Sequence, residues 1–181
     1  RVAGEVVSIL SRTLEDAGSD ARILTRLAAD IPGVAEGDER CDPALNEVLR
    51  GSAGFENLVR FDGQGRILCT AFPYPLDGLP AGPRTAQTLE RARAGPEFHL
   101  TALIRDQEGR AIALFSRGVP SEAGGGLLLG VIVDAGDSPL VAGWPPEMSL
   151  VATDPEGRVV LLLPRDAAGV QGSAGPRAEG T

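Results

Sequence analysis

The stretch C41-DPALNEVLRGSAGFENLVRFDGQGRIL-C69 decides the fold. Its first part, Cys41 to about Leu49, reads as a short helix. Its second part reads as two strands folded back across Asp62-Gly63-Gln64-Gly65. Leu58, Val59 and Phe61 before the turn, and Ile67, Leu68 and Cys69 after it, are apolar and β-prone, and the turn is rich in glycine. Cys41 and Cys69 are the 2 cysteines of the chain. A bridge between them would staple the helix to the second strand and contribute about 3–4 kcal/mol on a chain-entropy argument. That pairing points to an oxidising compartment; two free, buried thiols in a reducing one are the alternative.

Working outward, the hairpin pattern recurs. LVRFDGQGRILC from 58, LIRDQEGRAIAL from 103 and LVATDPEGRVVLL from 150 each place Asp-x-x-Gly-Arg between apolar strands. In this pattern the Asp side chain can cap the turn and the Gly can take a positive φ. The following Arg reads as a solvated residue at the start of a strand. Near-regular spacing raises a propeller, but a blade needs four strands, and residues 85–94 look helical. One turn chemistry used repeatedly is the better reading.

Upstream, Ala3, Val7, Leu10, Leu14, Ala17, Ala21, Leu24, Ala28 and Ile31 recur at spacings of four and three. They form one apolar stripe on a long helix, ended by Pro32-Gly33. The same spacing permits a helix–helix seam between two copies. Val34 to Arg40 reads as an acidic, exposed connector. Downstream, residues 73–83 are proline-rich and read as an extended loop, and Thr85 to Arg93 as a short helix closed by Gly95-Pro96. Phe98–Ile104, Arg110–Val119 and Gly126–Asp134 read as strands, with PSEAGGG at 120–126 as a flexible loop between the last two. The order implies an α+β fold, a five-stranded antiparallel sheet with the long helix on one face and short helices and loops on the other. Two covered faces account for an apolar strand such as LLLGVIV at 127–133.

Composition narrows the function. The 181-residue chain can bury about 70% of its unfolded surface. It carries 17 basic residues, all arginine, against 25 acidic ones, for a net charge of −8. The arginines are scattered, so no basic patch points to nucleic acid or an anionic membrane. No apolar run is long enough to span a bilayer, and residues 1–30 are too charged for a signal peptide. The chain begins inside a helical pattern without an initiator Met and reads as a piece of a longer protein. With 1 His and 2 Cys no zinc site can be assembled. No nucleophile elbow, P-loop or dinucleotide fingerprint is present. Nothing calls for a cofactor, and the chain reads as non-enzymatic.

From residue 5 to 163 the ordered series resembles the Cache family of extracytoplasmic sensor domains, which have a PAS-like core. The residues carrying the likeness are the long helix running into LAADIPGVAEGDERCDPAL, then FENLVRFDGQGRILCTA, PRTAQTLERA, PEFHLTALIRDQEGRAIALFSRGVP and GLLLGVIVDAG. The paired cysteines match a subset of periplasmic members. The resemblance implies a helix at 1–33, a sensor module at 34–136, and at 137–181 a hairpin like the opening of a second module, followed by a Gly/Ala-rich tail. It implies a periplasmic domain of an inner-membrane receptor, such as a histidine kinase, diguanylate cyclase or chemoreceptor. Membrane attachment would come only through flanking segments, with a homodimer formed through the N-terminal helix.

The resemblance also implies a small-molecule ligand, carboxylate-bearing in many members. Arg84 matches the family's carboxylate-holding Arg by position, and a guanidinium can take a carboxylate in bidentate fashion. The aromatic partners are replaced by Thr85, Ala86 and Gln87, so specificity for an amino acid is not implied. Asp134 loosely matches an Asp that accepts from a ligand amine. Strand alternation puts Phe98, Leu100 and Ala102 on one face and His99, Thr101 and Leu103 on the other. Phe98 and Ser116 are placed near the pocket, with Tyr74 as a lid. His99 reads as a surface strand residue. The competing reading is a PAS-like structural or dimerisation domain with no small-molecule ligand.

Overall fold

The computed structural model describes residues 2–73, 90, 97–105, 110–133, 150–153 and 159–163. Helix α1, Val2–Ala29, follows the apolar stripe. Ala21 and Ala28 are fully buried, and Leu14, Ala17 and Leu24 pack against the same core. Small residues let α1 lie close to the sheet: a Cβ placed on Gly18 would meet the Phe115 ring at 3.4 Å. Buried Thr25 keeps its hydroxyl satisfied by donating to the Ala21 carbonyl at 2.8 Å. Among the described residues no helix is long and apolar enough to cross a membrane.

Pro32 ends α1 and also opens α2, Pro32–Glu36, because a proline's fixed φ and missing N–H suit the first helical position. The exposed connector expected from Val34 onward is therefore corrected: Val34 is sealed in the core. Only the far side, at Glu36, Glu39 and Arg40, faces water. There the Arg40 side chain and backbone N–H both donate to Asp38, holding its pKa down at about 2.

Helix α3, Cys41–Leu49, docks on the first hairpin. Cys41 and Cys69 are joined by a disulfide, their Cα atoms 5.9 Å apart. Two polar contacts reinforce it: Asp42 accepts from the Thr70 N–H at 2.7 Å, and the Asn46 amide donates to the Ala71 carbonyl at 3.0 Å. Strands β1, Phe55–Phe61, and β2, Ile67–Thr70, pair antiparallel across the expected turn. Asp62 accepts from the N–H of Gln64 at 2.8 Å and of Arg66 at 2.9 Å, and Gly65 sits at φ 83°. Arg66 is solvated as expected, yet its Nε also reaches Asp62 at 2.7 Å. Burial opposes the Asp62 charge, but the Arg66 backbone and side-chain bonds and the Gln64 N–H outweigh it and lower its pKa.

Strands β3, His99–Arg105, β4, Ala111–Gly118, and β5, Gly126–Ile132, complete a five-stranded antiparallel sheet in the order β2-β1-β5-β4-β3. With α1 across β4 and β5 and α2 and α3 beside it, this is the α+β, PAS-like arrangement the sequence implies. The last expected strand stops at Ile132 rather than Asp134. Strands β6, Leu150–Thr153, and β7, Val159–Leu163, form a separate hairpin. Of the expected helix at 85–93, Glu90 is described and is helical.

The expected flexible loop at 120–126 is tied down at its glycines. Gly63 N–H donates to the Ala123 carbonyl at 2.9 Å, and Val119 N–H to Gly125 at 3.1 Å. Gly125 has φ 75°, and a Cβ there would lie 2.2 Å from the Phe61 carbonyl, so only glycine fits. Beneath this loop Arg60 is wholly buried. Its guanidinium donates to the carbonyls of Val34 at 3.1 Å, Ala35 at 3.2 Å, Gly126 at 3.4 Å and Phe61, and to the Ser121 hydroxyl at 2.9 Å. Burial lowers its pKa, with Asp62 acting in the opposite sense.

Candidate ligand-binding face

The sheet has two unlike faces. Phe115 meets α1 at Gly18, and Arg117 donates to Thr25 at 3.1 Å, so these β4 residues face the helix. Ser116, between them, faces the other way. Cross-strand pairing extends its row to Val59, Leu128 and His99, and aligns a neighbouring row of Asn57, Gly130, Leu114 and Ala102. Gly130 leaves a notch: a Cβ there would contact Glu56, Ile112 and Leu114 at 3.5–3.6 Å.

A polar chain runs through this apolar face. The buried Thr101 hydroxyl donates to Ser116 Oγ at 2.6 Å, and Ser116 Oγ lies 3.1 Å from His99 Nε2. His99 Nδ1 is 3.1 Å from the Glu97 carbonyl. A carbonyl can only accept, so in the neutral ring Nδ1 carries the proton and Nε2 accepts from Ser116. At the end of the face near β1, Glu56 and Arg110 pair at 2.8 Å. At the edge, Asn57 is a hub: its Oδ1 accepts from Leu58 and Phe72 N–H and the Thr70 hydroxyl, while Nδ2 donates to Phe72 O at 2.9 Å. It thereby fixes where the chain leaves β2.

The structure brings Ser116 together with His99 and Thr101 but puts Phe98 on the helix side, stacked on Phe115 with centroids 5.5 Å apart. The alternation expected along 98–103 is broken by a bulge between Leu100 and Ala102. The bulge turns Thr101 and Ala102 both towards the Ser116 face. His99, read as a surface residue, is half-buried and bonded into the chain. Arg84, Asp134 and Tyr74 lie outside the described residues. Asn57 and Thr101 had no signal in the sequence, since their partners depend on register. Among the described residues no group of three or more His, Cys, Asp or Glu side chains is placed to hold a metal ion.

A long helix across one face of a five-stranded antiparallel sheet, with short helices stapled beside it, is a PAS-like fold. Solved structures agree at that level. The ligand-binding domain of the Campylobacter jejuni chemoreceptor Tlp3 in complex with L-valine matches with a TM-score of 0.54 and 18% identity, over 87% of this chain and 68% of that one. The same domain in complex with 4-methylisoleucine matches at 0.56 and 17%, over 95% and 72%. The Tlp3 sensory domain with isoleucine bound matches at 0.52 and 18%, over 87% and 68%. At such identity the likeness is one of fold. No family model matches the chain, and no curated protein matches it in sequence.

Proposed function

We propose that the chain is the extracytoplasmic ligand-sensing domain of a transmembrane signalling receptor, without catalytic activity of its own. A small, carboxylate-bearing molecule would occupy the sheet face opposite α1. The observation that carries this reading is the Thr101–Ser116–His99 polar chain set in an apolar, glycine-notched face, a combination that orients a small ligand. The fold is shared with sensory domains solved with valine or isoleucine bound, which supports the ligand class. Arg84 would clamp the carboxylate, Asp134 would accept from an amine and Tyr74 would close over the site.

Signal transfer follows from strand alternation. Ser116 would meet the ligand while its neighbours Phe115 and Arg117 touch α1, so a shift of β4 reaches the helix directly. Ile23 and Leu27 stand 63% and 56% exposed on α1. That apolar pair supports a homodimer through this helix, with the output domain a kinase, cyclase or chemotaxis module. The 150–163 hairpin would open a second module.

A thermal-shift screen of carboxylates, aliphatic amino acids and amines tests the reading, with Arg84→Ala and Ser116→Ala in parallel. A true ligand at 100 times its Kd adds about 2.7 kcal/mol. Loss of the response in both variants supports the site. A response kept in both moves the ligand elsewhere, and silence across the screen favours a ligand-free dimerisation domain.

A further inference from the structure

On the opposite face, where α1 crosses β4, arginines gather around one ring. The guanidinium carbon of Arg22 lies 4.7 Å from the Phe98 centroid and that of Arg117 5.6 Å. Phe98 is itself braced by parallel stacking on Phe115. Arg117 is further positioned by Thr25 Oγ1 at 3.1 Å and the Arg22 carbonyl at 3.4 Å, both neutral oxygens. Arg26 stands one helical turn beyond Arg22.

No carboxylate neutralises this group among the described residues. Arg40, Arg50, Arg66 and Arg110 each have an acidic partner, whereas Arg22, Arg26 and Arg117 have none within ion-pair distance. Asp30 favours the Arg117 charge from a distance without touching it. Burial, and then the charges of Arg22 and Arg26, lower the Arg117 pKa. In a chain of net charge −8, three like charges set this close repel one another. A multivalent anion relieves that repulsion, and planar guanidinium forks match phosphate and carboxylate oxygens.

We propose that Arg22 and Arg117, with Phe98 as their platform, and Arg26 one helical turn beyond form a site for a small multivalent anion, a phosphate or a polycarboxylate. Such an anion bridges α1 to β4 and clamps the helix to the sheet. The site is separated from the ligand face by the sheet itself and stands whether or not that face binds a ligand.

Inorganic phosphate and succinate are titrated separately into the 15N-labelled chain, with ionic strength held constant by NaCl. Arginine Nε–Hε resonances and the thermal midpoint are followed. Saturable shifts of Arg22 and Arg117 with either anion are expected, with a rise in midpoint; which anion responds identifies the source. Arg22→Gln and Arg26→Gln, both at exposed positions, should each weaken binding about tenfold, the worth of one charge-assisted hydrogen bond. Arg12→Gln, elsewhere on α1, should leave it unchanged. Linear, non-saturating shifts with both anions, or equal binding by the Arg22→Gln/Arg26→Gln double variant, would overturn the proposal.

Discussion

The guanidinium of Arg60 on β1 donates to the carbonyl of Val34 in α2 at 3.1 Å, and both residues are sealed from water. The same cation reaches Ala35, Gly126 and Ser121, so one side chain joins α2, β5 and the β4–β5 loop. Arg60→Ala removes that donor fork and leaves buried carbonyls unsatisfied beside a cavity. A loss of about 3–5 kcal/mol is expected in urea unfolding. Arg60→Met keeps the volume and should lose less. A loss under about 1 kcal/mol for Arg60→Ala would show that water replaces the fork at little cost.

Removing the Cys41–Cys69 link frees α3 from β2 in the unfolded chain. Cys41→Ala/Cys69→Ala should lower stability by about 3 kcal/mol. For a chain of this size that is a fall of roughly 6–12 °C in the thermal midpoint. An unchanged midpoint would mean that the Asp42–Thr70 and Asn46–Ala71 contacts hold α3 in place alone.

Acid should weaken the fold through Asp38 and Asp62, whose carboxylates are both held below their ordinary range. In the unfolded chain such a group titrates near about 3.9. The stability they contribute is therefore fully present above that pH and is lost as pH falls through the folded values, about 2 for Asp38. Unfolding midpoints measured from pH 6 down to 2 should drop most steeply below about 4. The Asp38→Asn/Asp62→Asn variant should show a shallower drop; an identical pH slope would assign the acid sensitivity elsewhere.

Asn57→Ala should release the exit of β2. Four hydrogen bonds to Leu58, Thr70 and Phe72 depend on this side chain, and a loss of about 2–3 kcal/mol is expected. Amide exchange should accelerate at Phe72 while β4 stays protected. Uniform acceleration across the sheet would place Asn57 in the global core instead.

Much of this architecture is written locally. The α1 stripe needs only the helical period, and the Asp62 turn needs an Asp and a Gly three apart. The cysteine pair could be joined because the chain has no other cysteine, although the two lie 28 residues apart. The helical stripe and the turn each lie within a few residues of the contacts they specify.

Other features required the folded sheet. Which apolar strand lies beside β1 is a choice among comparable candidates, and β5 is settled by closure of the whole core rather than by any local preference. The bulge at Leu100–Ala102 has no residue signature, yet it turns Ala102 onto the Ser116 face beside Thr101. The burial of Val34 and Arg60 depends on one another, since a charge enters a core only where enough oxygen acceptors already converge. By itself the sequence determined the long helix, the strands and the turn chemistry, which short-range geometry governs, and with them the fold class; the disulfide partners followed from there being only 2 cysteines. Only the tertiary structure decided which side chains share a face and which arginines meet, because long-range register sets those contacts.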